Sequence, residues 1–264
     1  MPKFDSYPAG TPCWIDLMSP DVEASKAFYS AVFGWDATDE HDNDGNWIYT
    51  QFRQGGNVVA GMGGQPPEMD GMPAFWNTYI ATDDVNATAA AVTEAGGSVM
   101  MPPMAVMDAG HMAIFTDPTG AAFSVWQAGN HHGADVANDP NTWSWNELLS
   151  RDVETAKEFY AEVFGWTYES QDMGGGMGVY TVIAGGDHGG LGGMMNMPEG
   201  MPDQVPDHWM VYFSVADINA TVEAVKANGG MVAQEPFEAP GVGHIAVVHD
   251  AHGGSFSLMQ PAQN

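Results

Sequence analysis

An internal duplication constrains the fold of this chain more than any other feature of its sequence. The segment Thr11–Trp35 recurs as Thr142–Trp166, and the two segments share 14 of 25 residues without a gap. The correspondence then continues through both halves. A repeat of this length indicates two homologous domains, each long enough to bury a core of its own. We place the first domain at residues 11–127, a linker at 128–141 and the second domain at 142–260.

The net charge limits the partners that we expect. The 264 residues include 34 acidic and six basic ones, which gives a formal charge of -28. Such a chain repels nucleic-acid phosphates and anionic lipids, so we expect neither nucleic acid nor a membrane as a partner. The acidity itself is explained either by adaptation to the surroundings, such as high salt, or by a groove that binds cations.

The sequence also indicates a cellular location. No apolar run approaches the length of a membrane span, and the first residues lack the pattern of a secretory signal. The lone Cys13 cannot form an internal disulfide. We therefore expect a cytoplasmic protein.

The local pattern predicts the same succession of elements four times. Residues from Trp14 alternate as in a strand, and a helix follows that Ser19 can cap and Gly34 can close. Strand-like runs at 47–53 and 57–62 come next. Because this order recurs along the chain, we predict an α+β fold of four βαβββ units, two in each domain.

Two repeated motifs carry a resemblance to a known superfamily. The first, D-V-E-x-x-x-x-F-Y-x-x-V-F-G-W, occupies Asp21–Trp35 and Asp152–Trp166. The second, D-P-x-G-x-x-F-S, occupies Asp117–Ser124 and, with Ala-His in place of Pro-Thr, Asp250–Ser257. The set resembles the vicinal oxygen chelate superfamily of glyoxalases, bleomycin-resistance proteins and extradiol dioxygenases, and most closely its tandem two-domain glyoxalase-like proteins from actinobacteria. The resemblance implies two cupped mixed sheets with helices on the outer face.

The resemblance also implies where a metal would be held. Enzymes of the superfamily bind a divalent metal inside the cup, through ligands from the first and last strands of the units. The matching positions here are Trp14, Gly61, Asn77 and Ser124 in the first domain and Trp145, Gly192, Met210 and Ser257 in the second. None offers the imidazole or carboxylate that a catalytic metal requires. We therefore expect no cofactor, with a divalent metal on non-standard ligands as the alternative.

Two carboxylates are the main candidates for chemistry. Asp16 and Glu147 each follow a cup tryptophan by two residues and so share its strand face. A carboxylate against aromatic rings could have a raised pKa and act as a general acid or base. It could also pair with a cationic ligand stacked on the rings. A purely structural, hydrogen-bonded role is the third interpretation.

Histidines complete the candidate sites. Glu147, His208 and His244 could form an acid–base set or a non-standard metal site, whereas the linker pair His131 and His132 is expected to be exposed. The catalytic candidates are Asp16, Glu147, His208 and His244. The candidate ligand-binding residues are Trp14, Tyr49, Asn77, Tyr79, His111 and Ser124 in the first domain and Trp145, Tyr180, Met210, Tyr212 and Ser257 in the second.

Three functions are compatible with these residues. The first is a metal-free protein that binds a small aromatic or cationic molecule in aromatic-lined cups. The alternative is a lyase, isomerase or dioxygenase-type enzyme whose site lies in the second domain. The third is a structural or interaction protein whose cups are filled by its own side chains. A monomer suffices for each function because one chain holds both domains, although a homodimer is compatible with the sequence.

Overall fold

The computed structural model describes residues 3–173, 178–186 and 189–262, and these ranges contain sixteen strands and four α-helices. The first half contains β1 (Pro12–Ser19), α1 (Val22–Phe33), β2 (Asp36–His41), β3 (Trp47–Gln54), β4 (Asn57–Gly64), β5 (Phe75–Ala81), α2 (Val85–Glu94), β6 (Ser98–Val106), β7 (Gly110–Thr116) and β8 (Ala122–Ala128). The second half contains β9 (Trp143–Ser150), α3 (Val153–Phe164), β10 (Tyr168–Asp172), β11 (Val179–Ile183), β12 (Gly192–Asn196), β13 (His208–Ser214), α4 (Ile218–Ala227), β14 (Met231–Ala239), β15 (Gly243–His249) and β16 (Ser255–Pro261). None of the helices in these ranges is long and apolar enough to cross a membrane.

Two sheets of the same topology confirm the predicted α+β fold. The first half forms one eight-stranded sheet in the order β2-β3-β4-β1-β5-β8-β7-β6. The second half repeats this as β10-β11-β12-β9-β13-β16-β15-β14. The strand that ends each βαβββ unit runs parallel to the strand that begins it, while the two units of a half meet antiparallel. Each sheet is therefore mixed, as expected.

Two strands and one helix start differ from the sequence prediction. The βαβββ unit requires the edge strands β2 and β10, but the sequence did not locate them, because their residues are mostly exposed and show no apolar alternation. The helix α1 is capped by Asp21, whose side chain accepts a hydrogen bond from the Ala24 amide. The expected cap, Ser19, contacts Ser25 Oγ at 2.7 Å instead. The predicted start was therefore two residues early.

The helices pack between the two sheets, and each contacts a helix of the other half. α1 packs against α4, and α2 packs against α3. One core cluster accordingly joins Phe28 and Phe33 of the first half to Phe213 and Val222 of the second. The two halves therefore share the cores on the helix side, although each is long enough to bury a core of its own.

The linker is part of the fold. The Ala134 amide donates to the Cys13 carbonyl at 3.0 Å, and the Asp135 amide donates to the Val58 carbonyl at 2.7 Å. The linker thereby enters between the starts of β1 and β4. Gly133 has a φ of 119°, and a side chain there would overlap the Cys13 carbonyl. Only glycine permits this close approach of the two backbones.

Candidate functional site

Each sheet has one face turned away from the helices, which we call its cup. In β1, Ile15 is fully buried within the core that contains the helices, so the alternating neighbours Trp14 and Asp16 lie on the cup face. The same alternation in β9 places Trp145 and Glu147 on the second cup. The duplication has therefore produced two cups with an acidic residue and a tryptophan at matching places.

The strand register brings most of the predicted ligand-binding residues together. In the first cup, one row across the sheet holds Gly61, Asp16 and Asn77, and the next holds Trp14, Tyr79 and Ser124. In the second cup, the rows hold Gly193, Glu147 and Met210, then Trp145, Tyr212 and Ser257. The counterpart of Gly61 is thus Gly193, one residue beyond the Gly192 expected from the sequence.

Asp16 is held by three hydrogen-bond donors. Asn77 Nδ2 donates to Oδ1 at 2.8 Å. The hydroxyls of Tyr49 and Tyr79 each donate to Oδ2 at 3.0 Å. The indole nitrogen of Trp14 donates in turn to the Tyr49 hydroxyl at 3.1 Å. The floor of the first cup is therefore a connected polar network around one carboxylate, and both of its oxygens are engaged.

Glu147 sits in a network with fewer donors. The Tyr212 hydroxyl donates to Glu147 Oε1 at 2.7 Å, and the nearby Tyr180 hydroxyl opposes the rise that burial causes in the pKa of this carboxyl. Trp145 Nε1 donates to the Tyr180 hydroxyl at 2.9 Å, as in the first cup. Met210 stands where the first cup has an asparagine, and its thioether has no proton to donate. The second carboxylate therefore keeps free acceptor capacity.

Burial changes the acid–base properties of both cups. Asp16 and Glu147 are each 5% exposed, and the loss of water raises the pKa of both carboxyl groups. Three side-chain donors oppose this rise at Asp16, whereas two oppose it at Glu147. Burial, followed by the charge of the neighbouring carboxylate, raises the pKa of Tyr79 and Tyr212 well above the usual tyrosine value. These phenols therefore act as hydrogen-bond donors and keep their protons.

A glycine beneath each outer tyrosine makes room for its hydroxyl. Any side chain at Gly61 would overlap the Tyr49 hydroxyl, and one at Gly193 would overlap the Tyr180 hydroxyl. The tyrosine rings thus fill the space above the glycines and bring their hydroxyls to the carboxylates. Glycine at these positions is required by packing, which explains why a ligand-bearing side chain is not found there.

The repeated histidines do not lie in the cups. His111 pairs with Gln127 in the sheet, whereas its neighbour Met112 pairs with the cup residue Trp126. Because adjacent strand residues face opposite sides, His111 is on the helix side, where it is exposed. His244 occupies the same place in β15. The structure therefore places neither His111 nor His244 in a cup, in contrast to the sequence prediction.

His208 lies on the cup face but away from Glu147. It pairs with Leu149 at the start of β13, while Met210 is the residue opposite Glu147. The ring nitrogen Nδ1 contacts the Pro206 carbonyl at 2.8 Å. The structure therefore does not assemble Glu147, His208 and His244 into the acid–base or metal set that the sequence suggested.

The linker contributes a cup residue that the sequence did not indicate. The ring of His131 packs edge-on against Trp14 with centroids 4.5 Å apart, and its carbonyl accepts a 2.8 Å hydrogen bond from Trp126 Nε1. Burial lowers the pKa of His131 to about 4. Trp14 is consequently only 3% exposed, while Trp145 in the second cup stays partly exposed. No local pattern signals this contact, because it joins residues over 110 positions apart.

The sequence comparison decides the family. The profile of the Glyoxalase/Bleomycin resistance protein/Dioxygenase superfamily matches residues 13–125 and 144–256. The chain belongs to this superfamily. It is 44% identical over 263 residues to the putative glyoxylase CFP32 of Mycobacterium tuberculosis, with 99% of both chains covered. It is 38% identical over 266 residues to the anthracycline biosynthesis protein DnrV of Streptomyces peucetius, with 96% of this chain and 94% of that protein covered.

Solved structures of the superfamily share the fold. The Mn(II)-bound glyoxalase from Novosphingobium aromaticivorans superposes with a TM-score of 0.64 at 18% identity, covering 96% of this chain and 82% of that one. The 2,3-dioxygenase LapB from Pseudomonas sp. KL28 superposes with a TM-score of 0.64 at 13% identity, covering 97% of this chain and 94% of that one. Identity this low supports the common architecture and carries no argument about chemistry.

The superfamily implies a divalent metal in the cup, and the residues present do not fit one. Among the described residues, no group of three or more His, Cys, Asp and Glu side chains could hold a metal ion. The two rows across each cup supply one carboxylate, which already accepts hydrogen bonds from tyrosine hydroxyls. The other row positions carry Gly, Trp, Tyr, Ser, Asn or Met, which provide no charged ligand.

The second cup is surrounded by flexible apolar side chains. Its cluster consists of Trp145, Leu149, Met195, Met197, Met210, Tyr212, Ile245, Val247 and Met259. Methionine has three rotatable bonds and a polarizable sulfur, so such a lining can adapt to the outline of a ligand. The arrangement can therefore hold an apolar ring while one carboxylate at its base accepts a hydrogen bond.

Proposed function

We propose that this protein binds one small aromatic, cationic molecule in the cup of its second domain, without a metal. The observation that carries the proposal is Glu147: a buried carboxylate with free acceptor capacity, next to the partly exposed ring of Trp145. A protonated amine or a hydroxyl of the ligand would meet this carboxylate while its rings stack on the indole.

The composition and the relatives support this ligand class. A net charge of -28 raises the local concentration of cationic solutes. The methionine lining suits a flat apolar ring system. Two relatives, each 38% identical over nearly the whole chain, are anthracycline biosynthesis proteins by name. Anthracyclines combine fused aromatic rings with an amino sugar, which is the chemistry that the second cup would recognise.

The first cup is proposed to have a structural role. Both oxygens of Asp16 are already engaged by donors, and His131 covers Trp14. A ligand entering there would have to displace the linker and compete with three existing hydrogen bonds. We therefore expect a stoichiometry of one ligand per chain.

The test is calorimetric titration with a cationic anthracycline, repeated after chelator treatment. The expected result is one site per chain, unchanged affinity without metal, and strong loss of affinity in Trp145→Ala. The matched variant Trp14→Ala should bind as the wild type does. Binding that requires an added metal, or equal loss in both variants, would overturn the proposal.

One observation favours an acid–base enzyme as the second candidate. The raised pKa of Glu147 keeps part of its population protonated closer to neutral pH, and the Tyr212 hydroxyl 2.7 Å away could stabilise its charged form. Such a residue could move a proton in an isomerase or lyase reaction. Turnover that disappears in Glu147→Gln, while ligand binding persists, would establish this alternative.

A further inference from the structure

One edge of the first sheet is apolar and uncharged. The strand β6 is the last of its sheet, so one of its sides has no neighbouring strand. Five large apolar side chains on it and in the following turn are 37% to 68% exposed: Val99, Met100, Met101, Met104 and Met107. No Asp, Glu, Lys, Arg or His occurs between Glu94 and Asp108. We call the segment 99–107 the β6 edge.

The duplicated half shows that this edge could carry charges. In β14, the counterpart of β6, Glu235 and Glu238 occupy the positions of Pro102 and Ala105. Glu235 pairs with Lys226 of α4 at 3.2 Å. Charged side chains are a common device by which edge strands avoid association. Since the same fold accepts them in the second domain, their absence from the first is not imposed by the architecture.

The charge of the chain argues for a second copy as the occupant. Two molecules of net charge -28 repel each other, and most contacts between them would oppose carboxylates. A two-fold axis places the same patch of both molecules in contact, which requires a patch without net charge. The β6 edge meets this requirement. We propose that the β6 edge is the contact between two copies of this chain in a homodimer.

The mode of contact follows from two prolines. Pro102 and Pro103 have no backbone N–H, so β6 cannot add a second β6 as a continuous hydrogen-bonded strand. The contact is therefore made by side chains. Five exposed apolar side chains supply on the order of half of the roughly 800 Å² that each partner buries in a standard interface. The dimer should accordingly be reversible and depend on protein concentration.

The rim of the first cup takes part in this contact. Met101 and Met104 pair in the sheet with Ile114 and Met112, which lie on the cup face. A second molecule on the β6 edge would therefore approach the first cup and leave the second cup free. Dimerisation and the ligand binding proposed above use different surfaces, so each can fail without the other.

The experiment is sedimentation equilibrium over a wide protein concentration range, at low and high salt. The wild type should approach twice the chain mass of 28.1 kDa, and more readily at high salt, which screens the repulsion. The double variant Met100→Glu/Met104→Glu should lose the dimer. The matched double variant Ala233→Glu/Phe237→Glu adds the same charge at the equivalent positions of β14 and should still form the dimer.

Each outcome decides the proposal. A wild type that stays monomeric at every concentration and salt overturns it, as does equal loss of the dimer in both double variants. Circular dichroism checks that the variants fold. Should the double variant misfold, the single variant Met100→Glu serves in its place, because this side chain is 61% exposed.

Discussion

The Tyr29 hydroxyl of the first domain donates a 2.8 Å hydrogen bond to Asp250 Oδ2 of the second domain. Tyr29 also accepts a hydrogen bond from Trp76 Nε1 at 3.1 Å. The counterpart pair is Tyr160 of the second domain and Asp117 of the first, and burial followed by the charge of Asp117 raises the pKa of Tyr160 well above its usual value. The two motifs of the superfamily therefore meet across the domain interface: the tyrosine of one half reaches the turn aspartate of the other.

Replacing Tyr29 with Phe should lower the free energy of unfolding by about 1–3 kcal/mol, because the change removes the hydroxyl that donates to the buried Asp250 Oδ2 and accepts from Trp76 Nε1. Urea unfolding measures the loss. The control is Tyr168→Phe, which removes a hydroxyl that bonds to Lys157 within one domain and is only partly buried. Equal losses in both variants would show that the interdomain hydrogen bond contributes no more to stability than the hydrogen bond within one domain.

The variant Glu147→Gln should be more stable than the wild type at neutral pH, and this advantage should vanish in acid. Because burial raises the pKa of Glu147, ionisation disfavours the folded state above that pKa, whereas glutamine never ionises. As the pH falls toward the ordinary value of 4.5, the wild-type carboxyl is protonated and the difference closes. Thermal melts across this pH range measure the difference in stability between the variant and the wild type. A difference that is the same at every pH would contradict the prediction.

Asp16→Asn is the matched comparison and should gain less stability or lose some. Asn77 Nδ2 donates to Asp16 Oδ1, and an asparagine at position 16 would offer one acceptor oxygen where three donors now converge. One donor would then be left without a partner, which is unfavourable in a buried network. A gain as large as that of Glu147→Gln would show that the third donor is unimportant.

Met210→Asn should weaken ligand binding about tenfold or more, because the new amide would donate to Glu147 as Asn77 does to Asp16 and take up its free acceptor capacity. Calorimetry with a cationic anthracycline measures the change. The reciprocal variant Asn77→Met should leave binding unaltered while lowering stability. Unchanged affinity in Met210→Asn would mean that the ligand does not use the carboxylate.

The contribution of His131 to stability should fall as the pH drops from 6.5 toward 4, and His131→Phe should remove this contribution. The folded-state pKa of His131 is about 4, below its ordinary value of 6.5, so the unfolded chain binds a proton that the folded chain excludes. Protonation at His131 therefore favours unfolding in that window. Melting curves of the variant should depend less on pH there, whereas replacing the exposed His41 should change nothing. A variant with the full acid sensitivity of the wild type would contradict the assignment.

The fold could be predicted from the sequence because its signals are local and occur twice. Alternation identified β1, and the helix after it was predicted with its start two residues early. The polar edge strands escaped detection because neither face of them is buried. The packing of α1 on α4 also escaped, since an amphipathic stripe shows that a helix is covered but not what covers it.

The candidate site could be predicted only in part. Strand parity placed Asp16 and Glu147 on the correct face, and register explains why tyrosines surround them. The parity of His111 could not be read, because its strand begins at Gly110 without a clear alternation. The contact of His131 with Trp14 depends on the path of the linker, which no periodic pattern encodes.

The crossed packing of the helices makes the two halves obligate partners although one chain encodes both. A half expressed alone would expose the apolar stripes that its helices now bury against the other half, so a cut in the linker should yield fragments that are soluble only after recombining. A substitution in α1 would then be compensated by a substitution in α4, and a substitution in α2 by one in α3. In related sequences, residues of these helices should therefore covary between the two halves, with little covariation inside each repeat.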